Sequence, residues 1–372
     1  MRRARFYSSI LISLIFSGVA PFDSLAAVRS ESDSNCVSKF ANLSERSAQE
    51  RKFAPLGAPV PPSLLKNEID ALVSDRPSAI LAQYGPYEVI SASYGEIPSA
   101  MKELGRLREI TFRAVGEGTG KALDLDSFDQ TYQHIFVWNR EKSEIVGAYR
   151  IGKIDELLKK KGIDGIYSSQ FFKYDRAFFS QPESMMEAGR AFIRPEYQGS
   201  KQGLPLLWKG IMTYIAQNPR YHIMIGPLSI PNVYKPESTR LMLDYLSANF
   251  LDPQLSKLVR PSISTDQIAH VEAETRANLL EKVTNLATLN TEIMRMEDGK
   301  IGVPPLVKQY LHLGGKVASF NFDPKFNSVD CALIIDLWKI PPREMRHFMD
   351  EESFNAYIRN GAAQIERTGA KP

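Results

Sequence analysis

The chain has 372 residues, 43% of them hydrophobic and 24% charged, which is typical of a globular protein with one extended core or two smaller ones. A formal net charge of +3 gives no reason to expect a nucleic-acid partner. Two cysteines exclude a disulfide framework, and five histidines that lie far apart in the sequence predict no metal site.

The N-terminus has the order of a secretory signal. A basic start, MRRAR, precedes the apolar stretch FYSSILISLIFSGVAPF, and small residues follow at 24–27. Residues 1–27 are therefore predicted to be a signal peptide, or an N-terminal membrane anchor if they are not cleaved. This predicts an exported, periplasmic protein, with membrane association on the cytoplasmic face as the alternative. Residues 28–63, which include APLGAPVPP, are predicted to be a Pro-rich, low-complexity linker.

Regular patterns begin near Leu64, and residues 64–260 are predicted to form the main domain. Its predicted elements, in chain order, are a strand at 87–94, a helix behind Pro98, a hairpin of 134–139 with 144–152 around the turn REKS, a strand ESMMEAGRAFIR, a helix at 204–217, a strand at 221–230 and a helix ESTRLMLDYLSANF. Alternation of strands and helices in this order predicts a mixed α/β layer.

Residues 261–372 are predicted to be a C-terminal helical extension with the closing strands of the same domain. The segment 264–295 has few aromatic residues and predicts one long, mostly exposed helix. PPLVKQYLHLGG predicts a helix, KVASFNFD and SVDCALIIDL predict a strand pair, and the polar tail from Pro341 predicts further helix. Cys331, inside the second of these strands, is predicted to be a core residue.

Two common motifs fail on spacing. In AVGEGTGKA the first glycine of a phosphate loop would fall on Val115, Ala122 stands where Ser or Thr should be, and Lys121 occupies the third glycine of a dinucleotide fingerprint. This segment is therefore predicted to be a mobile Gly-rich loop. No G-x-S-x-G elbow occurs, and no histidine is followed by aspartate five positions later.

The stretch MEAGRAFIRPEYQG carries the strongest hypothesis. Glu187 and Arg190 cannot share a face of a regular strand, so a bulge at Gly189 is predicted to point both toward a cleft. Such a bulge would part the strand from its neighbour and expose backbone groups that can pair with the amide arm of a pantetheine thioester. PEYQG would then lie near the first turn of the 204–217 helix, where amide donors favour a phosphate.

Several segments together resemble a known family. They are LREITFRAVGEGTGKALDLDSFD, YQHIFVWNREKSEIVGAYRIG, MEAGRAFIRPEYQG, LPLLWKGI, GPLSIPNVY and GVPPLVKQYLHLGGKVASFNFDPKF. In this order they resemble the hemolysin-like N-acyltransferases related to ornithine-lipid synthases, from about residue 87 to about residue 357. The resemblance implies a GNAT-like three-layer α/β fold with a mixed, splayed central sheet. It also implies transfer of a long acyl chain from an acyl carrier protein thioester to the amino group of an amino acid.

The chain is similar, more distantly, to acyl-homoserine-lactone synthases. Their pattern maps onto Arg108, Phe112, Asp126, Asp129, Arg150, Glu187 and Arg190. The tryptophan of that family is absent near Gly118, which argues against a lactone product. GNAT enzymes that use coenzyme A show Q/R-x-x-G-x-G/A. If Gln198 is the first position of this motif, Gly199 follows it at a position where any residue is allowed, and Lys201 stands where the first glycine is required. Gly203 stands where the second glycine is required. One fitting glycine out of two favours a carrier-bound donor over coenzyme A.

These residues have candidate roles. Because attack on a thioester needs a neutral amine, Glu187 would be the general base, His134 a proton relay and Tyr234 the acid for the departing thiolate. The arginines at 108, 150 and 190 and Phe112 would bind substrate, the aspartates at 126 and 129 would hold a cationic amine, and Gln198, Gly199 and Gly203 would meet the donor phosphate. Structural salt bridges, a helix cap and a core histidine are the alternatives for these groups.

The sequence thus predicts an N-acyltransferase without a permanent cofactor, using an acyl-phosphopantetheine donor. Its predicted partners are an acyl carrier protein, a small amine or amino acid, and a membrane surface contacted peripherally. Carrier-bound thioesters are cytosolic, however, and the N-terminus predicts export. Two alternatives therefore stay open: an envelope protein of the same fold that binds a lipid or amine without turnover, and an acyltransferase that uses coenzyme A thioesters.

Overall fold

The computed structural model describes residues 53–198, 200, 202–268, 271–346, 348–349 and 351–368. The predicted signal segment, residues 1–27, and the predicted linker as far as residue 52 lie outside these residues. From Phe53 to Pro61 the chain runs along the domain, because the Ala54 amide donates to the Gly120 carbonyl at 2.8 Å and the Gly57 amide to the Ala122 carbonyl at 3.0 Å. The last part of the predicted linker is thus bonded to the Gly-rich segment.

Eight of ten described strands form one mixed sheet. Numbered along the chain, the strands are β1 Ile80–Tyr84, β2 Tyr87–Ser93, β3 Gln133–Asn139, β4 Glu144–Lys153, β5 Phe172–Tyr174, β6 Met185–Ile193, β7 Ile223–Ile230, β8 Val259–Pro261, β9 Lys316–Asp323 and β10 Ser328–Asp336. The large sheet has the order β1-β2-β3-β4-β6-β7-β10-β9, and β5 pairs with β8 separately. Among the paired strands of the described residues, β6 and β7 form the one parallel pair. The predicted hairpin of β3 with β4 is confirmed.

Helices cover both faces of this sheet, as the sequence predicts. They are α1 Pro62–Asp75, α2 Pro98–Arg113, α3 Ile154–Lys161, α4 Leu204–Gln217, α5 Pro236–Phe250, α6 Leu255–Leu258, α7 Ala273–Leu280, α8 Leu286–Met296, α9 Pro305–His312, α10 Pro342–Met345 and α11 Glu351–Thr368. Among the described residues, no helix combines the length and apolar content needed to cross a bilayer.

Strand β3 shows why its sequence, HIFVWN, is apolar without alternation. Ile135 and Val137 lie in the core cluster that contains α4 and α5, whereas Phe136 and Trp138 lie in the cluster that contains α1 and α2. A strand covered on both faces needs apolar side chains at every position. The predicted three-layer α/β architecture is confirmed.

One predicted helix is wrong in length. The segment 264–295 contains α7 and the greater part of α8, separated by a break at Asn285. The Asn285 side chain accepts hydrogen bonds from the amides of Ala287 and Thr288, and so caps a new helix there. An internal asparagine therefore begins a second helix instead of continuing the first.

The neighbouring strands β6 and β7 part soon after they meet. Their pairing covers Met185–Glu187 against Ile223–Ile225 and then ends. A bulge in β6 against β4 accompanies the separation, as predicted, but the unusual backbone is at Arg190, with φ of 52°, and not at Gly189. On β7, Pro227 has no N–H to donate to a ladder. Bulge and proline together explain why the sheet opens here.

Helix α4 lies very close to β2, and this contact yields a stability prediction. A Cβ at Gly210 would overlap the side chain of Val89, which is fully buried. Overpacking of this kind costs about 1–3 kcal/mol, whereas alanine gains about 1 kcal/mol over glycine in helix propensity. We expect Gly210→Ala to lower the free energy of unfolding in urea. Gly95→Ala is the control, because a Cβ at Gly95 meets nothing within 4 Å; equal stability of the two variants would contradict the close approach.

Candidate active site

A cavity of about 310 Å³ passes through the opening between β6 and β7. On the α4 face its wall contains Tyr149, Leu228, Leu306 and Tyr310, residues packed on or within the core cluster of that face. On the opposite face its wall contains polar side chains. They include Glu117, Asp124, Tyr167, Arg190, Ser229, Asp323 and Asp330. The cavity therefore joins an apolar wall to a polar one, across the sheet.

Beside the polar wall lies a buried ionic network built from residues that the sequence singles out. Asp129 is fully buried, and its Oδ1 accepts hydrogen bonds from Arg108 Nη1 at 2.8 Å and from Arg150 Nη1 at 2.9 Å. Burial acts to raise the pKa of Asp129, but the charges of Arg108 and Arg150 outweigh burial and hold this pKa well below its usual range. Asp129 thus joins the two arginines as an ionised carboxylate.

His134 belongs to the same network and stays neutral. Its Nε2 donates to the Asp129 carbonyl at 2.9 Å, and its Nδ1 accepts from Arg108 Nη2 at 3.3 Å. Burial, and next the positive charge of Arg108, lower the pKa of His134 to about 4. The ring is fully buried and outside the cavity wall. This arrangement favours the core histidine over the proton relay.

Arg190 connects the network to the cavity. Its Nη1 donates to Tyr167 Oη at 2.7 Å, its Nε lies 3.1 Å from Asp124 Oδ2, and its Nη2 lies 3.6 Å from Asp126 Oδ2. Its guanidinium also lies over the Tyr167 ring, with 4.7 Å to the centroid. Arg190 and Phe112 contribute to the cavity wall, whereas Arg108 and Arg150 are buried behind it.

Glu187 does not face the cavity. Its carboxylate is 1% exposed and accepts hydrogen bonds from the amides of Tyr167 and Ser168, both at 2.8 Å, and from the Tyr132 hydroxyl. The sequence predicts that the bulge points Glu187 and Arg190 toward one cleft, and the structure instead separates the two side chains. Glu187 anchors the backbone that holds Tyr167 beneath Arg190, an arrangement that favours positioning over proton transfer.

Two of the remaining predicted residues, Tyr234 and Gln198, lie in the cavity wall. Tyr234 is part of the cavity wall, and its hydroxyl donates to the Gly302 carbonyl at 2.7 Å; burial, and then the charge of Glu297, raise its pKa. Gln198 also lines the cavity, and its Nε2 donates to the Ile193 carbonyl at 2.8 Å. Gly203 is the residue before α4, and Gly199 lies outside the described residues.

Sequence reasoning missed four carboxylates of the cavity wall, namely Asp124, which pairs with Arg190, and Glu117, Asp323 and Asp330. Glu117 lies in the Gly-rich segment, Asp323 ends β9, and Asp330 lies in β10 beside the buried Cys331. Burial, and next the charges of Glu117 and Asp323, raise the pKa of Asp330 to about 8. Burial also raises the pKa of Glu117. Polar residues at every second position of β9 and β10 are the signal that could have revealed two of them.

The Gly-rich segment is anchored and not an independent loop. The Glu109 carboxylate accepts hydrogen bonds from the Thr119 amide at 3.0 Å, the Thr119 hydroxyl at 2.6 Å and the Gly120 amide at 2.9 Å. Gly116 and Gly120 have φ of 80° and 83°, which glycine adopts readily. The segment therefore holds Glu117 at the cavity.

Comparison with known protein families agrees with this opened sheet and its cavity. Residues 107–209 match the family model of an acetyltransferase (GNAT) domain. Fold and match define the chain as an N-acyltransferase of the GNAT class. The predicted enzyme class is thereby confirmed, and the alternative of a binding protein without turnover is set aside.

Two similar proteins refine this assignment. The chain is 30% identical over 283 residues to a glycine N(alpha)-acyltransferase of Phocaeicola vulgatus, spanning 71% of this chain and 82% of that protein. It is 30% identical over 278 residues to a glycine N(alpha)-acyltransferase of Bacteroides thetaiotaomicron, spanning 71% and 79%. The chain belongs to the family of these glycine N(alpha)-acyltransferases. No solved structure matches the chain significantly.

Proposed function

We propose that the protein transfers a long acyl chain from a phosphopantetheine thioester to the α-amino group of a small amino acid, with glycine as the first candidate. The observation that carries this proposal is the cavity that crosses the sheet between β6 and β7. Such a cavity lets a donor and an acceptor approach the same point from opposite faces of the sheet.

The donor fits the α4 side of the opening. Beyond Glu187 and Ile225, β6 and β7 no longer pair with one another, so the amide arm of a pantetheine can lie between them as an added strand. Leu204, Leu228, Leu306 and Tyr310 supply an apolar wall on which the first part of an acyl chain can pack.

The acceptor fits the polar side. Arg190 presents a guanidinium there, which suits the carboxylate of an amino acid because its planar fork matches a carboxylate. The two relatives are named for glycine, and this name supports a small acceptor here. Ornithine, the acceptor of the lipid synthases that the sequence resembles, is the competing candidate.

For the donor we propose an acyl carrier protein as partner, with coenzyme A thioesters as the alternative. Lys201 occupies a position where coenzyme A enzymes of this class have glycine, and the Gln198 amide bonds to the chain itself. Both features reduce the number of backbone donors for a diphosphate. A long-chain product would also bring the protein into peripheral contact with a membrane.

The proposed activity is tested with purified protein, acyl carrier protein or coenzyme A thioesters, and glycine or ornithine, with product detection by mass spectrometry. We expect N-acylglycine from the carrier-bound donor at the highest rate. Preference for coenzyme A would overturn the donor assignment alone, and preference for ornithine would overturn the acceptor assignment alone. Hydrolysis of the thioester without an N-acylated product would overturn the proposed function.

Filling the opening provides a structural test. A Cβ at Gly189 meets nothing within 4 Å, and Gly189 lines the cavity, so the side chain of Gly189→Leu should enter the donor path without disturbing the core. We expect kcat/KM to fall by about 100-fold, the order of magnitude by which misplaced substrates react more slowly. Gly95→Leu is the matched control, because a Cβ at Gly95 is equally unobstructed and lies outside the cavity wall. If Gly189→Leu and Gly95→Leu were equally active, the donor would not bind in the opening between β6 and β7.

A further inference from the structure

Three carboxylates converge on the polar end of the cavity from separate parts of the chain. Asp330 on β10 lies opposite Ser229 of β7 and opposite Asn321 of β9, and Asp323 lies opposite Ser328. Directly opposed residues project from the same face of a sheet. Glu117 lies in the Gly-rich segment. That segment is held in place by hydrogen bonds from the Thr119 and Gly120 amides to the Glu109 carboxylate. All three carboxylates contribute to the cavity wall.

Two of their oxygens lack a hydrogen-bond donor. Within the part of the chain that the structure describes, Asp330 Oδ2 and Glu117 Oε1 have no partner, and Asp330 is only 6% exposed. Buried acceptors are nearly always satisfied, since an unsatisfied one is costly. An unpartnered, buried carboxylate oxygen in a cavity wall therefore points to a ligand that donates hydrogen bonds.

The charge of the site identifies the class of ligand. Glu117 and Asp323 lie close enough to Asp330 to raise its pKa, and Arg190 is a positive group close enough to affect the pKa of Glu117. Among the described residues, no group of three or more acidic, histidine or cysteine side chains is arranged to hold a metal ion. The ligand should be positively charged, because the site is rich in carboxylates, and it should donate hydrogen bonds to the unpartnered oxygens. An ammonium group is a cation with several N–H donors and meets both requirements.

We propose that Glu117, Asp323 and Asp330 bind the ammonium group of the amino acid acceptor, and that Asp330 removes its proton. This inference rests on the proposed function and identifies the residues that perform it. Arg190, on the adjacent part of the wall, takes the carboxylate of the same acceptor. Binding at both ends orients the amino acid with its nitrogen toward the opening between β6 and β7.

The reaction then proceeds in balanced steps. Ionised Asp330 accepts one proton from the ammonium group and leaves a neutral amine, because only a neutral nitrogen has a free electron pair. The nitrogen attacks the thioester carbonyl carbon, the C–N bond forms, and the C–S bond breaks. The departing thiolate takes the second proton from nitrogen and becomes a thiol. Asp330 releases its proton to solvent when the amide product leaves.

The surroundings of Asp330 suit a base that works near neutral pH. Burial, and next the charges of Glu117 from the Gly-rich segment and Asp323 from β9, raise its pKa, whereas hydrogen bonds from Asn321 and Ser229 lower it, with the balance at about 8. Its neighbour Cys331 stays a thiol, since burial raises the pKa of that group. A base is most effective when its pKa lies near the working pH.

The test combines turnover with binding for Asp330→Asn and Glu117→Gln, two changes that keep the side-chain shape. We expect Asp330→Asn to lower kcat by about 10²–10⁴-fold, the usual contribution of a general base, and to remove the rise of kcat/KM with pH that its ionisation produces. Glu117→Gln should raise KM for glycine about tenfold or more with a smaller change in kcat. Asp336→Asn, on the same strand but outside the cavity wall, is the control with unchanged kcat.

Calorimetric titration with glycine separates this inference from the proposed function. If wild-type protein acylates glycine while both variants keep its kcat and KM, the carboxylate site is wrong and the proposed function stands. If wild-type protein acylates no amine, the proposed function fails. In that case, weaker glycine binding to Glu117→Gln than to wild-type protein would still support the ammonium site, and unchanged or undetectable binding would overturn it.

Discussion

Asp129→Ala is expected to destabilise the protein by about 3–5 kcal/mol, the cost of removing one partner from a buried ion pair. Asp129 is the carboxylate that Arg108 and Arg150 share, and all three side chains are at most 1% exposed. Among the described residues, its loss leaves Arg108 without an ionic partner within 4 Å and removes one of the two carboxylates that pair with Arg150. Neither guanidinium can lose its charge, because arginine stays protonated in proteins.

The measurement is the free energy of unfolding in urea, with Asp126→Ala as the matched control. Asp126 also pairs with Arg150, at 2.7 Å, but its side chain is 24% exposed, and Arg150 keeps Asp129 when Asp126 is removed. We therefore expect the control to lose much less stability. Similar losses in the two variants would show that the buried pair is no more important for folding than the half-buried one.

The second large effect is a loss of stability as the pH rises toward about 8. In the folded protein the pKa of Asp330 is raised from 3.8 to about 8. Between these values the folded state holds a proton that the unfolded chain has released, so stability falls with increasing pH, by at most about 1.4 kcal/mol per pH unit for one proton. The raised pKa of Glu117 acts in the same direction.

His134 acts in the opposite direction over part of this range. Its folded-state pKa is lowered from 6.5 to about 4, so between these values the unfolded chain binds more protons and stability rises with pH. The two effects oppose each other below pH 6.5. Above that value His134 no longer contributes, whereas the raised pKa values of Asp330 and Glu117 still act, so the decline should become visible between about pH 6.5 and 8.

Comparison of wild-type protein with Asp330→Asn isolates the carboxylate, because His134 is common to both. Unfolding in urea at several pH values should show that the variant loses less stability above pH 6.5 and is the more stable protein at pH 8. Parallel curves for the two proteins would mean that Asp330 ionises normally in the folded state. Asp330→Asn is thus expected to have a lower kcat and, at pH 8, a higher free energy of unfolding than wild-type protein. A gain in stability with a loss of activity is typical of substitutions at active-site residues.

Much of the fold could be predicted because its elements are local patterns. The helix predicted at 204–217 is found at those residues, and the strands before and after the turn REKS agree within one residue at each end. The order of strands and helices then indicated a mixed α/β sheet. The predicted helix at 264–295 failed because Asn285, whose capping hydrogen bonds depend on the backbone of the next residues, begins a new helix.

The site was predicted only in part, and the reason is again physical. The sequence itself determined a bulge in β6, predicted one residue from the unusual backbone at Arg190, and the apolar strands, since both follow from residue type and short-range spacing. The arginines and aspartates of the network were identified by the family resemblance, because their pairing joins positions 21 to 24 residues apart. Tertiary structure decided which side chains reach the cavity. Glu187 is turned away because the backbone of residues 167–168 satisfies its oxygens. Glu117 and Asp330, more than 200 positions apart, meet because β10 is placed beside β7 and the Gly-rich segment lies over that end of the sheet, a proximity that no local pattern records.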